Sequence, residues 1–284
     1  MTTFYKFMPL AEGQLLAMKK ALEDKAQEVR MMGLMLIASE GVNATLAGLP
    51  ADVTEYKHFL ETQFGELVFK DSPSEVRPFK RFKVKIKEEI VQLGRTDIQP
   101  MGNEKHVAPA DWDAMMAEED VVLIDVRNWY EAKLGTFTGA INPQTKTFQE
   151  FPDWLKKSGI AKDKKIGIFC TGGIRCAKAA VAMKEQGYAN VAQLDGGVIH
   201  YLAQRPNSNF TGECFVFDHR SAVGQDLRPS AKYKVCSSCG NGAALKATCV
   251  NCDKEYRICD ECQAAPPVAL CSKNCRYIYE QART

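Results

Sequence analysis

KKIGIFCTGGIRCAKAAVAMKEQG, residues 164–187, runs as an apolar strand into a cysteine, two glycines and an arginine, and then into a small-residue helix. A short continuous apolar run reads as a strand buried on both faces, and the alanine-rich segment after it as the helix that covers it. The same alternation recurs on either side. DVVLIDV (120–126) and VAQLDGG (191–197) are further apolar strands, with helical spacing over 110–118, 147–158 and 175–187. Strands alternating with helices define a parallel sheet covered on both faces, so the centre of the chain is an α/β domain.

The break itself has chemistry in it. Cys170 falls at the carboxyl end of a parallel strand, where α/β sheets place ligands. Gly172 and Gly173 let the backbone turn inward, so that amides of Thr171, Gly172, Gly173 and Ile174 can face one sulfur at a helix N-terminus. Such a setting lowers a thiol pKa, and Arg175 adds a fixed positive charge. A turn made only for packing has no use for two glycines and an arginine. Cys170 is therefore read as the nucleophile, with Arg175 and Cys176 as its companions.

Residues 1–90 alternate differently. A strand at TFYKFMPL, a helix over 12–30, strands at GLMLIA and VNATLAG, a helix over 51–64 and a strand at RFKVKIK give β-α-β-β-α-β, the ferredoxin-like α+β order. In the last strand, period-two alternation puts Phe82, Val84 and Ile86 on one face and Arg81, Lys83, Lys85 and Lys87 on the other. With Arg77 and Lys80, six bases fall within eleven positions that hold no acid. A solvated edge uses lysines too, but such a row can also follow a phosphate backbone, and all six are taken as candidate RNA contacts. Residues 91–107 read as a linker, and the α/β domain spans 108–205.

The chain has 284 residues and eleven cysteines, none before Cys170. Nine lie in the extension 206–284, and eight of these fall after residue 235, as CSSC (Cys236, Cys239), CVNC (Cys249, Cys252), CDEC (Cys259, Cys262) and CSKNC (Cys271, Cys275). Eight thiolates make two tetrahedral four-cysteine sites, so two structural zinc ions are expected, with disulfides or an iron–sulfur centre as the alternatives. Metal binding would supply folding energy to a segment short of aliphatic residues. Whether the first pair joins the second or the third is open at this level. Cys214 stands apart, as a small buried hydrophobe or a resolving thiol. Tyr256, Arg257, Arg276 and Tyr277 are either further RNA contacts or surface filling. The formal net charge of +2 decides nothing about a polyanionic partner. The N-terminus lacks the pattern of a secretory signal, and no apolar run is long enough to span a membrane, so a cytoplasmic protein is expected.

The motifs together carry a resemblance. DVRNWYE (125–131), GAIN (139–142), CTGGIR (170–175) and LDGGVIHY (194–201) resemble the signatures of a rhodanese domain, whose six-residue loop carries a persulfide on the residue matching Cys170. In that family the positions matching Asp125 and Arg127 are structural, and Cys176 stands where Ser or Thr is common. The ferredoxin-like front, GECFVFDHR (212–220) and the cysteine-rich tail extend the match. The whole chain is similar to the bacterial tRNA uridine hydroxylases of the rhodanese superfamily. That resemblance implies an oxidoreductase making 5-hydroxyuridine at the tRNA wobble position, with molecular oxygen as co-substrate, tRNA as partner and no role for DNA or membrane. Sulfur transfer from thiosulfate through a Cys170 persulfide is the alternative. It leaves the front domain and the tail without work, and a non-catalytic adaptor would leave Cys170 and Arg175 unexplained. No dinucleotide fingerprint or facial-triad motif names an electron donor.

Overall fold

A computed structural model describes residues 1–74, 76–102, 104–264 and 270–282. The N-terminal domain comprises β1 (Thr2–Phe7), α1 (Leu15–Glu28), β2 (Met32–Ala38), β3 (Gly41–Ala47), α2 (Pro50–Phe64), β4 (Lys70–Asp71) and β5 (Phe82–Ile86). Its strands lie in the order β4-β1-β3-β2-β5. Phe4, Ala44, Met35 and Val84 form one row across the sheet. This row packs with Leu22 and Ala26 of α1 and Tyr56, Leu60 and Phe64 of α2 in a single core. Tyr5, Asn43, Leu36 and Lys85 form a row on the opposite face, because neighbouring residues on a strand point to opposite sides.

The basic strand does not close the βαββαβ set as expected. The two-residue β4 takes that place beside β1, and β5 is added as a fifth strand, parallel to β2 at the other edge. Nor is the apolar face of β5 uniformly covered. Val84 is buried, Phe82 is half-buried, and Ile86, at the end of an edge strand, is 36% exposed.

Residues 91–107 are more than a connector. Leu93 and Ile98 are buried in the core of the next domain, and the segment ends in β6 (Lys105–Val107), an edge strand. The domain continues through α3 (Pro109–Met116), β7 (Val121–Asp125), α4 (Trp129–Ala132), β8 (Gly135–Phe137), α5 (Phe151–Lys157), β9 (Lys165–Phe169), α6 (Ile174–Glu185), β10 (Val191–Leu194) and α7 (Gly197–Gln204). Its parallel sheet has the order β6-β10-β9-β7, so the strand leading to Cys170 is internal. One face of the sheet packs Ile166 and Ile168 with α5 and α6. On the other, Phe169 and Phe137 stand edge to face at 4.8 Å beside Trp112 and Tyr201. A ring buried in this way is worth roughly 1.5–3 kcal/mol against exposure.

The C-terminal extension begins with short strands: β11 (Phe210–Gly212), paired with β8, and β12 (Cys214–Phe215), paired with β13 (Ala222–Val223). Two small hairpins follow, β14 (Lys234–Val235) with β15 (Gly242–Ala243) and β16 (Leu245–Thr248) with β17 (Glu255–Ile258). The helices α8 (Asp260–Ala264) and α9 (Lys273–Gln281) complete the described tail. Among the described residues no helix is long and apolar enough to cross a membrane.

Candidate active site and metal-binding tail

Cys170 follows β9 directly and is wholly buried. Its Sγ accepts the Gly173 amide at 3.1 Å. Gly173 is the N-cap of α6 at φ +98°, a left-handed conformation that glycine alone adopts without strain. The closing segment seals the loop from behind, where the amides of Val198 and Ile199 donate to the carbonyls of Cys170 (2.9 Å) and Thr171 (3.1 Å). Gly197 has to be glycine there, because a Cβ would stand 2.5 Å from the Cys170 carbonyl oxygen. Burial by itself would push the Cys170 thiol up. A hydrogen bond from the Cys176 side chain, the charge of Arg175 and the amides of Cys176 and Arg175 outweigh it, and hold Cys170 well below the ordinary thiol range. Cys176 moves the opposite way, raised by burial and by its bond to Cys170.

Arg175 is engaged by a carboxylate. Its guanidinium forms a two-pronged pair with Glu131, with Nη2 to Oε2 at 2.7 Å. Glu131 is held in turn by the capping box of α4, where the Asn128 amide donates to Oε1 at 3.1 Å. Glu131 ends the quoted DVRNWYE stretch, which is the only sequence signal it had. The Phe217 ring lies 5.6 Å from the Arg175 guanidinium and is 60% exposed. Asp125 and Arg127, both fully buried, bind each other with Nε to Oδ1 at 2.8 Å. Arg127 also donates to the Gly135 carbonyl and Thr136 to Asp125, so the pair ties β7 to β8.

Two neighbours of the loop escaped sequence reasoning. Lys70 of β4 donates to the Gly172 carbonyl at 2.8 Å, and its ammonium lies 5.3 Å from the centre of the Tyr5 ring. A methyl group on Gly173 would stand 3.1 Å from the Tyr5 hydroxyl. Burial lowers the Lys70 pKa, partly offset by Asp195, Cys170 and Cys176, while burial and the nearby Cys170 raise that of Tyr5. The face of the N-terminal sheet opposite its helices thus meets the cysteine loop. A second interdomain contact lies further along α6, where Lys178 Nζ sits 2.6 Å from Glu40 and 2.5 Å from Glu89, all three buried.

Arg77, Lys80 and Arg81 line an open groove of about 450 Å³ together with Arg30, at the end of β5. Lys83 and Lys87 are exposed and Lys85 is half-buried. Among the described residues none of the six bases at 77–87 forms an ion pair with a carboxylate. The structure does not bring this strand's bases onto Cys170; the domain's approach to the loop is made by Tyr5 and Lys70.

In the tail, the cysteines gather as Cys236, Cys239, Cys259 and Cys262, and as Cys249, Cys252, Cys271 and Cys275, with each set's sulfurs within 4.8 Å of one another. The first pair joins the third and the second joins the fourth, a cross-braced arrangement. Separations such as Cys239–Cys259 at 3.6 Å and Cys252–Cys271 at 3.6 Å are far beyond a disulfide bond of about 2.05 Å. They are close to the roughly 3.8 Å edge of a tetrahedron with metal–sulfur bonds of about 2.3 Å, so both sets can hold a metal ion. Tyr256 is buried in this tail's core and the Arg257 guanidinium binds the Ala244 carbonyl, which makes both of them structural, while Tyr277 is exposed. Cys214 is a buried residue of the sheet core, its thiol pushed up to about 12 by burial.

A parallel sheet whose inner strand delivers a cysteine into a six-residue loop, with an arginine in the first turn of the next helix, defines a rhodanese-type domain, here flanked by an α+β domain and a cysteine-rich tail. Family models agree segment by segment: residues 1–90 match the UPF0176 acylphosphatase like domain, 108–204 the Rhodanese-like domain and 211–276 the Rhodanase C-terminal model. A tRNA uridine(34) hydroxylase of Bdellovibrio bacteriovorus is 46% identical over 99% of this chain and 81% of its own length. Those of Acaryochloris marina and Wolbachia pipientis wMel are 43% and 42% identical over 83% and 84% of this chain, and 77% and 87% of their own. The chain belongs to the tRNA uridine(34) hydroxylase family.

Proposed function

We propose that this chain is an oxidoreductase that hydroxylates C5 of the wobble uridine of tRNA, with molecular oxygen as oxidant and Cys170 as the reacting thiol. The single observation that carries the role of Cys170 is its position at the start of α6, with the Gly173 amide donating to its buried Sγ and the amides of Arg175 and Cys176 favouring the thiolate. Addition of that thiolate to C6 of the uracil moves the C5–C6 π electrons onto C5, which then attacks an electrophilic oxygen; loss of the C5 proton expels the thiolate and restores the double bond. One oxygen atom of O2 enters the base and the other leaves as water, with two electrons and two protons drawn from a reductant such as a pair of thiols. An anticodon-loop base reaches such a site by unstacking, at modest cost. Because Cys170 is fully covered, the groups that cover it have to move for the base to enter. Arg77, Lys80, Arg81, Lys83, Lys85 and Lys87 hold the tRNA backbone.

The tail binds two structural zinc ions, one in each four-cysteine set, and the protein works in the reducing cytoplasm, where those thiolates stay available to metal. Metal analysis should return about two zinc ions per chain.

Unmodified tRNA incubated with the purified protein under air should yield 5-hydroxyuridine on nucleoside mass analysis. Cys170→Ser should yield none while folding normally, because serine is not an anionic nucleophile at neutral pH. Full turnover by that variant would remove Cys170 from the reaction, and product formed without oxygen would remove the oxidant. Sulfur transfer from thiosulfate to cyanide with no change in tRNA would instead establish the sulfurtransferase alternative.

A further inference from the structure

One peptide unit in the cysteine loop is held at both ends. The bond between Gly172 and Gly173 carries the Gly172 carbonyl, which accepts from Lys70 at 2.8 Å, and the Gly173 N–H, which donates to Cys170 Sγ at 3.1 Å. In a trans peptide the C=O and N–H point in opposite directions, so fixing one fixes the other. This peptide joins two glycines, whose permissive backbones allow the plane to turn over at little steric cost, and no heavy atom lies within 4 Å of where a Gly172 Cβ would be. Turned over, the plane would present a carbonyl oxygen to a sulfur that has to be an anion.

We propose that Lys70, supplied by the N-terminal domain, is a positioning residue for the reacting cysteine: its ammonium pins the Gly172–Gly173 peptide with the N–H toward Cys170. The hydrogen-bond chain runs from the ammonium through the amide to the sulfur. A cation on the carbonyl polarises the amide, which strengthens its N–H as a donor. Lys70 forms no ion pair with a carboxylate among the described residues; Asp195 acts on it through space, and its ammonium is bonded to the loop carbonyl beside the Tyr5 ring. The N-terminal domain is thus part of the active site as well as a holder of RNA. This inference rests on the reading of Cys170 as the reacting thiol.

The test is the pH dependence of Cys170 alkylation by iodoacetamide in the full-length protein, followed by tryptic mass analysis. Cleavage after Arg175 places Cys170 and Cys176 on separate peptides. The wild type should show a midpoint below the ordinary thiol value. In Lys70→Met the midpoint should rise by on the order of one pH unit, the effect of losing a nearby unit charge and a fixed donor. Lys70→Arg, which keeps the charge and donor, should restore most of the shift. Thermal unfolding of each variant reports whether it remains folded; should Lys70→Met fail to fold, the comparison is made with Lys70→Gln. An unchanged midpoint in a folded Lys70→Met or Lys70→Gln protein overturns the inference and leaves Cys170 in place. A wild-type midpoint in the ordinary thiol range overturns the thiolate reading on which it depends.

Discussion

Cys176 occupies the first turn of α6 with its thiol directed at Cys170, and the two titrate apart: the first is raised by burial and by its neighbour, the second is held down by the bond it accepts. Under the proposed reaction Cys176 has a supporting part, as a donor to the reacting thiolate. Cys176→Ala should raise the Cys170 alkylation midpoint and slow turnover near neutral pH, by less than Cys170→Ser does. In both wild type and variant, turnover should fall as pH drops through the Cys170 pKa, since protonation removes the nucleophile. Loss in Cys176→Ala equal to that in Cys170→Ser would point to a dithiol mechanism. At this scale the sequence was explicit about Cys170, because a strand end, paired glycines and a helix start are contiguous. It was silent about Lys70, which lies 102 positions from the carbonyl it binds. No local periodicity encodes a contact of that kind.

Among the elements, β5 has two faces that can be altered separately. Val84 anchors it to the core, while Lys83 points into solvent at the edge of the sheet. Changing Arg81, Lys83, Lys85 and Lys87 to Gln should weaken tRNA binding and flatten its salt dependence by up to about 0.7–0.9 log units per log unit of salt for each phosphate that is no longer neutralised. Stability should move by only about 0.5 kcal/mol per site, as for most surface changes. Equal affinity and slope in the quadruple variant, measured by a salt titration of binding, would make β5 a solvated edge. The long elements were readable from their spacing. The strand pairing around β5 was not, because β4 has two residues and gives no alternation to detect. β6 was hidden likewise inside a stretch of Gly, Pro and Asn in which Leu93 and Ile98 turn out to be buried.

For the whole molecule, the contact among Lys178, Glu40 and Glu89 joins three parts of the chain: the N-terminal domain, the connecting segment and the helix of the cysteine loop. Glu89 also caps the turn at Leu93 and Gly94, and Glu40 accepts the Ile90 amide. Lys178→Met would leave two carboxylates buried without their cation, a change that typically costs about 3–5 kcal/mol. Urea unfolding should show that loss at neutral pH. The loss should shrink as pH falls: Lys178 pulls both carboxyl pKa values down, burial already holds Glu40 above its ordinary value, and removing the cation raises both relative to wild type, so protonation relieves the variant first. A variant as stable as wild type would show that the domains are held elsewhere.

The cross-braced tail makes the chain hard to take apart by cutting it. The exposed turn at Asp253 and Lys254 lies between Cys252 and Cys259, and so inside the loops closed by both four-cysteine sets. A single tryptic cut after Lys254 would put Cys236, Cys239, Cys249 and Cys252 on one fragment, and Cys259, Cys262, Cys271 and Cys275 on the other. Every ion would then bridge the two pieces. The nicked protein should travel as one body on size exclusion and separate only when a chelator removes the zinc, whereas neighbouring pairs sharing an ion would have let the end of the chain drop away at once.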